Sequence, residues 1–371
     1  MKIALITHNY LPHIGGLEFY VKRLADSLSA HGISVDVLTT DMGTSDAGRK
    51  PEAKYFKTSF AFMRNPFSLD FIKYLRKNKY DILHIHSVWF LHGLIAVYFR
   101  HKAKIITTIH GVYPDQAGIK LRFFLGIYKY FVAYILHKSE KILVYSEIEK
   151  EKLLRLWGVP SHKIILMPMA IHIEQYEDWP KDQAILFTGR IIPDKNPEVL
   201  IKAVGLLDKR LQSFKLVFVG SIEEDYREQL MVLSKSLNIT NEIIFIGQLD
   251  PSIEHEREQL MDYYKRAWVF VSLGSWEGQP TRLMEAMQYK TPVIAYAAGG
   301  TADFVVDGKN GLVIKHLDAV LLAERLQLIL SDENLAKRIG NEARITIENG
   351  YSWDKIFEKI FTIYTDTEKC Y

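Results

Sequence analysis

The sequence predicts an α/β protein built from two parallel sheets in tandem. Three observations point there. Short β-rich runs alternate with helical patterns along most of the chain, as expected where parallel strands are joined by crossover helices. At 371 residues the chain is longer than one hydrophobic core usually grows, so two domains are expected. The strand-like runs also fall into two sets, separated by a polar stretch over 174–182 that contains Pro180.

In the first half, strands are expected over 2–7, 34–39, 82–86, 105–109 and 141–145. Leu17, Val21, Leu24 and Leu28 trace a helical stripe that Gly32 can terminate. In the second half the strands are 184–188, 215–219, 242–246, 268–272 and 292–296, each trailed by a turn residue and then a helix. Two Rossmann-like units follow, with the boundary between 172 and 182. The final helix begins after Ser352, a fair N-cap, and shows Trp353, Ile356, Phe357, Ile360, Phe361 and Tyr364 on one face, a stripe large enough to require burial.

With 48% apolar and 25% charged residues, the composition is that of a soluble globular protein. The single cysteine, Cys370, excludes an internal disulfide framework and a cysteine metal cluster, and fits a reducing compartment. The apolar segment 3–7 is too brief for a signal peptide, and no run reaches the roughly 18 apolar residues of a membrane span. A cytoplasmic protein is expected. The net charge of +3 is uneven: residues 1–178 carry +8 and the remainder −5. The basic residues gather over 64–79, 100–104 and 120–141 among aromatics, which fits an anionic surface as partner or simply a solvated basic face. Residues 121–137 in particular suit either an interfacial helix or a core helix with a basic edge.

Several constellations carry chemistry. Glu277 and Glu285 stand eight positions apart, with Pro280 suited to the first turn of a helix, so Glu277 belongs to the preceding loop and Glu285 to the helix. Backbone N–H groups near 279–282 then face any anion at that helix start. Gly15 and Gly16, between the first strand and first helix, allow close backbone approach to a phosphate, although their spacing is not that of a dinucleotide fingerprint. His84, His86 and His110 stand at strand ends, where ligands bind in open α/β sheets. His84 and His86 share a face, so a zinc pair competes with structural histidines as a reading, with no third ligand evident. Arg190 and Lys195 flank a loop that leads to Asn196, an N-cap candidate, and Pro197, a first helical residue; together they can neutralise a diphosphate. The stretch 43–50 lacks the Lys-Ser/Thr of a P-loop, and no Asp-x-Asp triplet occurs.

Taken in order, the Gly15-Gly16 loop, His110, Arg190, Lys195, Glu277, Glu285 and Gly299-Gly300 resemble the retaining glycosyltransferases of family 4 over nearly the whole chain. The resemblance implies a GT-B fold: an N-terminal acceptor-binding domain, 1–176 with 354–371, and a C-terminal nucleotide-sugar-binding domain, 177–353, facing across a deep cleft, the last helix crossing back. It implies transfer of a hexose from a nucleoside diphosphate to an acceptor hydroxyl with retention, without metal or other cofactor. The expected catalytic set is His110, Arg190, Lys195 and Glu277. Donor contacts are expected from Gly15, Gly16, Arg190, Lys195, Gln248, Glu277, Gly278, Gln279, Pro280, Thr281 and Glu285. A lipid-linked or saccharide acceptor and a peripheral place on the inner face of a membrane are expected, with no nucleic acid. The sequence departs from the family at 168–172, which reads Pro-Met-Ala-Ile-His, at the Glu277-Gly-Gln-Pro280 loop, and at Asp303, where a glutamate is usual. The alternatives are a catalytically silent sugar-nucleotide-binding subunit, and a two-carboxylate hydrolase, which would have no use for Arg190 and Lys195. If 277–285 were all helix the two carboxylates would also lie roughly 12 Å apart, beyond the ~9.5 Å limit for inverting hydrolases.

Overall fold

The structure is a computed structural model that describes residues 1–13, 15–42, 44, 48–62, 65–110, 119–211, 213–239, 242–275 and 281–366. The chain divides into two compact units, Met1–Pro168 with Ile356–Tyr371, and Met169–Lys355.

The first unit runs β1 (Lys2–Ile6), α1 (Gly16–Ala30), β2 (Ser34–Thr40), β3 (Ala53–Phe56), a short hairpin of β4 (Phe60–Phe62) and β5 (Asn65–Phe67), α2 (Leu69–Lys77), β6 (Ile82–His86), α3 (Leu91–Tyr98), β7 (Lys104–Thr108), α4 (Ile119–Lys138), β8 (Lys141–Val144), α5 (Glu147–Trp157) and β9 (Ile164–Leu166). Seven parallel strands lie in the order β3-β2-β1-β6-β7-β8-β9. Residues 3–6, 82–86, 105–108 and 142–144 are buried throughout, because a parallel sheet is covered on both faces and its inner strands read as continuous apolar runs. α1 buries Val21, Leu24 and Leu28 as the stripe predicts, and Gly32 follows with φ of 76°. Ser68 and Ser146 cap α2 and α5 by accepting from Phe71 N and Glu149 N.

The second unit runs β10 (Ala184–Thr188), α6 (Pro197–Gly205), β11 (Lys215–Val219), α7 (Glu224–Ser236), β12 (Ile243–Gly247), α8 (Glu254–Arg266), β13 (Val269–Ser272), α9 (Thr281–Gln288), β14 (Val293–Tyr296), β15 (Leu312–Ile314), α10 (Ala319–Ser331) and α11 (Glu333–Gly350). Its six strands are parallel, in the order β12-β11-β10-β13-β14-β15. In each sheet the first strand has its sequence neighbour on one side and a later strand on the other: β1 between β2 and β6, β10 between β11 and β13. Those are topological switch points, where the connections leave for opposite faces and open a crevice at the carboxyl ends.

The polar stretch 174–182 is not a free linker. The Tyr289 hydroxyl donates to Glu174 Oε2 at 2.6 Å, Lys181 Nζ donates to Lys265 O and Thr291 Oγ1 at 2.7 Å each, and Arg266 holds Asp182 with two bonds of 2.9 and 3.0 Å. Its polar side chains are thus spent on the second unit, and the chain passes between units before it, at Pro168–Met169. The return passage is α12 (Trp353–Asp366), whose residues from Ile356 belong to the first unit. Inside the second unit the two passages run side by side, with Ile171 N donating to Tyr351 O at 3.0 Å and Trp353 N to Ile171 O at 2.8 Å. α12 buries Ile356, Phe357, Ile360 and Tyr364, and His31 of the α1 end packs its ring 4.9 Å from that of Phe357.

One buried cation closes this region. Arg344 of α11, 6% exposed, donates to Gln288 O at 2.5 Å, Glu174 O at 2.8 Å and Glu348 Oε1 at 2.5 Å. Replacing it by methionine strands two carbonyls in a dry environment. Arg344→Met is expected to lower unfolding free energy by roughly 2 to 4 kcal/mol, read from urea denaturation; a loss below about 0.5 kcal/mol, the range of an ordinary surface substitution, would contradict the clamp.

Candidate functional site

In the second unit the sequence-predicted cations lie at the switch point. Gly189 follows β10 with φ of 115°, a region that favours glycine, and a Cβ there would meet the Arg282 guanidinium at 2.7 Å. A Cβ on Gly220, at the end of β11, would meet Gly189 O at 1.8 Å. The two strand ends are therefore packed backbone against backbone, and Arg282, in the first turn of α9, lies over them. Arg190 is exposed and Lys195 half-buried. Lys195 ends a short 3-10 turn, Pro193–Lys195.

Asn196 does not cap α6 as expected. It stands at the N-cap position, but with φ of 54° and no side-chain cap bond. Its Nδ2 instead donates to Leu273 O at 2.7 Å and Ser275 Oγ at 3.0 Å, and Ser275 N donates to Asp194 O at 3.1 Å. These bonds tie the Arg190–Lys195 loop to the loop after β13, which leads into α9. Glu285 is half-buried, one turn into α9. The phenol of Tyr264, itself fully buried, bonds to Glu285 and shares a 2.8 Å bond with Thr188 Oγ1 at the end of β10. Burial first, then the Glu285 charge, pushes that phenol's pKa well up. Glu285 thus meets the site with part of its acceptor capacity already engaged.

Thr281 is half-buried at the start of α9, Gln248 is exposed just past β12, and Gly299 and Gly300 open a 3-10 turn after β14. Glu277, Gly278, Gln279 and Pro280 lie outside the described residues. Arg282 does not stand out in the sequence; its place two positions past Pro280, where the sequence leads one to expect a helix start, is the one signal that points to it.

In the first unit Gly15 is the N-cap of α1, and a Cβ on it would meet Glu18 Oε2 at 2.4 Å, whereas one on Gly16 meets nothing within 4 Å. Glu18 is 7% exposed and folded back over this helix start. Burial raises its pKa. The register His86↔Thr108 and Thr108↔Leu143 sets the ends of β6, β7 and β8 level, so His86, His110 and Tyr145 meet. His86 Nδ1 lies 3.3 Å from His110 Nε2, and the Tyr145 hydroxyl lies 3.1 Å from His110 Nδ1. His84 is taken up elsewhere, by Tyr364 of α12 at 2.5 Å and Thr108 at 2.7 Å. Tyr145 could have been found by the strand-end rule that picks out His86 and His110.

α4 shows two faces. Tyr128, Val132, Ile135 and Leu136 are buried, while Tyr130, Phe131 and Tyr134 are exposed, with Lys129 Nζ 5.2 Å from the Tyr130 ring and Lys138 Nζ 5.8 Å from that of Tyr134. Neither expectation alone describes this helix. Among the described residues no helix is long and apolar enough to cross a membrane, and no group of three His, Cys, Asp or Glu residues could hold a metal.

The buried histidines have a consequence for stability. Burial, then neighbouring histidines, lowers the pKa of His84 and of His92 to about 3, and holds His86 and His110 well below 6.5. Below pH 6.5 the unfolded chain takes up protons that the folded chain refuses, so stability falls with falling pH. Each fully buried histidine is expected to withdraw roughly 2 kcal/mol by pH 5. Denaturation at pH 7 and pH 5 checks this, and His84→Gln should narrow the gap; equal stability at both pH values would refute it.

Residues 14–175 match the family model described as Glycosyltransferase Family 4, and residues 171–346 the model described as Glycosyl transferases group 1. An uncharacterized glycosyltransferase of Methanocaldococcus jannaschii is 26% identical, the match covering 98% of each chain. The alpha-monoglucosyldiacylglycerol synthase of Streptococcus pneumoniae is 26% identical over 91% of this chain and 84% of that protein. Among solved structures, the sucrose-phosphate synthase of Thermosynechococcus elongatus superposes with a TM-score of 0.77 at 24% identity, covering 98% of each chain. HepE of Anabaena, solved in complex with UDP, gives 0.81 at 15% identity, covering 99% of this chain and 100% of that one. With two family models in tandem over most of its length and these structural neighbours, the chain belongs to the group 1 glycosyltransferases, resembles family 4 among them and has the GT-B fold.

Proposed function

We propose that the protein is a retaining, metal-independent hexosyltransferase that moves a sugar from a nucleoside diphosphate to an acceptor hydroxyl. The observation that carries this reading is the tie between the Arg190–Lys195 loop and the loop after β13, through Asn196 and Ser275, at the switch point of the second sheet. It brings the cations to the approach of the helix that bears Glu285. Arg190 and Lys195 stabilise the charge that grows on the leaving diphosphate, the kind of fixed electrostatics that usually contributes most. Glu285 accepts from ribose hydroxyls with the capacity Tyr264 leaves it, and Glu277 accepts from a sugar hydroxyl. Gly15, Gly16 and His110 position the sugar from the first unit, which binds the acceptor. As the C1–O bond to the diphosphate breaks, the acceptor oxygen bonds to C1 on the same face and passes its proton to the departing phosphate oxygen. HepE in complex with UDP supports a nucleoside diphosphate as the carrier.

Arg190→Ala and Lys195→Ala are each expected to lower kcat about a hundredfold or more, and transfer should persist in EDTA. Steady-state assays with a panel of nucleotide sugars measure both; near-normal turnover in the two variants, or chelation that Mg²⁺ reverses, would overturn the assignment.

The acceptor we infer is lipid-linked, reached from the inner face of an anionic membrane. The support is the exposed row of Tyr130, Phe131 and Tyr134 with Lys129 and Lys138, the excess of +8 over residues 1–178, and the diacylglycerol glycolipid after which the Streptococcus pneumoniae relative is named. Each cation near such a surface contributes about 1 kcal/mol, and salt screens it. Liposome co-sedimentation should show binding to anionic vesicles at low salt, weakened by high salt and by Lys129→Glu with Lys138→Glu. Negligible binding throughout would favour a soluble saccharide acceptor.

A further inference from the structure

Glu285 extends from α9 on a flexible side chain, and ordering such a chain costs affinity unless the protein already holds the carboxylate. The structure supplies a holder from another element. Tyr264, in the last turn of α8, is fully buried, and its hydroxyl bonds to Glu285 and lies 2.8 Å from Thr188 Oγ1 at the end of β10. The tyrosine is itself fixed. Its ring stands edge-on to Phe270 of β13 at 5.6 Å, and its carbonyl accepts from Thr291 Oγ1 at 2.6 Å. Thr291 Oγ1 in turn accepts from the Lys181 ammonium at 2.7 Å.

Proton count sets the direction of these bonds. A carboxylate only accepts, and a phenol has one proton to give. Burial, then the Glu285 charge, keeps this phenol protonated. Tyr264 therefore donates to Glu285, and its oxygen accepts from Thr188, whose hydroxyl can rotate to donate. The chain runs from Thr188 through Tyr264 to Glu285. A phenylalanine would fill the same apolar space with no hydroxyl to desolvate, so what the buried phenol adds is its hold on Glu285.

We propose that Tyr264 and Thr188 are positioning residues for Glu285, and that through it they make the site select a ribonucleotide over its 2′-deoxy counterpart. The proposal rests on the reading of Glu285 as the acceptor for ribose hydroxyls. A carboxylate held by a buried donor keeps one orientation, so it meets a hydroxyl with direction as well as charge. A 2′-deoxyribose has no hydroxyl there to donate. Without the Tyr264 hydroxyl the carboxylate keeps its charge but turns freely, and the preference shrinks while the diphosphate still meets Arg190 and Lys195.

Calorimetry on the full-length protein tests this with UDP, GDP and ADP, each beside its 2′-deoxy form, the tightest-binding pair serving as the probe. Wild type should prefer the ribose form about tenfold or more, the scale of one hydrogen bond to a charged acceptor, and Glu285→Ala should bring the two forms within about twofold. Tyr264→Phe should cut the preference about threefold or more and leave affinity for the 2′-deoxy form within about twofold of wild type. Thr188→Val, which keeps the shape but not the hydroxyl, should act in the same direction, and Thr188→Ser should keep the wild-type preference. A preference unchanged in Tyr264→Phe, or equal losses for both forms, would overturn the positioning. If Tyr264→Phe does not fold, Thr188→Val against Thr188→Ser decides on the same terms. A wild type that binds none of the three, or binds both forms alike, refutes the proposal as well. Glu285→Ala keeps the two levels apart: a preference that survives it refutes the ribose reading, whereas one that it abolishes and Tyr264→Phe spares refutes the positioning alone.

Discussion

β10 pairs with β11 through Ile185↔Leu216 on one side and with β13 through Ile185↔Val269 on the other. A strand flanked in this way sends its own connection to one face of the sheet while its later neighbour sends another to the opposite face, and the ends of the two strands are left facing each other across a gap. Among the described residues, the side chains of the candidate site in the second unit named above enter largely by those connections. Arg190 and Lys195 come from the loop after β10, Ser275 from the loop after β13, and Arg282 and Glu285 from the helix that follows. The gap alone would leave these loops loose. The bonds from Asn196 to Leu273 and Ser275 close it into one piece, and the close backbone approach of Gly220 to Gly189 fixes the far wall.

The first unit repeats the topology with different chemistry. β1 lies between β2 and β6, and the level ends of β6, β7 and β8 present His86, His110 and Tyr145 where the second unit presents guanidinium and ammonium groups. Buried among one another, those imidazoles stay neutral, and the depression of their pKa follows from burial before any pairwise effect. A neutral donor and acceptor suits a sugar hydroxyl, which has direction but no charge. Fixed cations suit a diphosphate, whose charge grows as its bond breaks. On the proposed function, the duplicated fold separates orientation from charge stabilisation.

How much of this was legible in the sequence follows from where each feature's energy lies. The inner strands were readable because double-sided burial makes their apolar runs continuous, so 82–86 and 184–188 were found to the residue. β3, β4, β5, β9 and β15 were not, being three or four residues long and at an edge or in a hairpin, where too few apolar positions exist to set a period. The stretch 174–182 reads as a boundary between units because it is polar, yet its polarity serves bonds to Tyr289, Lys265, Thr291 and Arg266, partners far away in sequence. Asn196 stands at the helix boundary that the sequence indicates, but its side chain does not cap the helix. An asparagine before Pro197 signals a cap, and only the tertiary structure shows its amide spent on the next loop.

The candidate site divides along the same line. Arg190, Lys195 and Glu285 are candidates already in the sequence, through a strand end, a loop and an expected helix start together with the family resemblance. Arg282, Tyr264 and Tyr145 were not, since each matters by what it touches. Arg282 needs Gly189 to lack a side chain, Tyr264 joins Thr188 to Glu285 across 97 positions of sequence, and Tyr145 needs the register that levels β8 with β7. In each case a residue of ordinary composition becomes specific through one contact from a non-neighbouring strand. The second set of residues surrounds the first: Tyr264 bonds to Glu285, and Tyr145 and His86 lie against the His110 ring. On the proposed function, substrate preference is expected to lie in such partners, because Arg190 and Lys195 would meet the diphosphate of any nucleotide sugar alike.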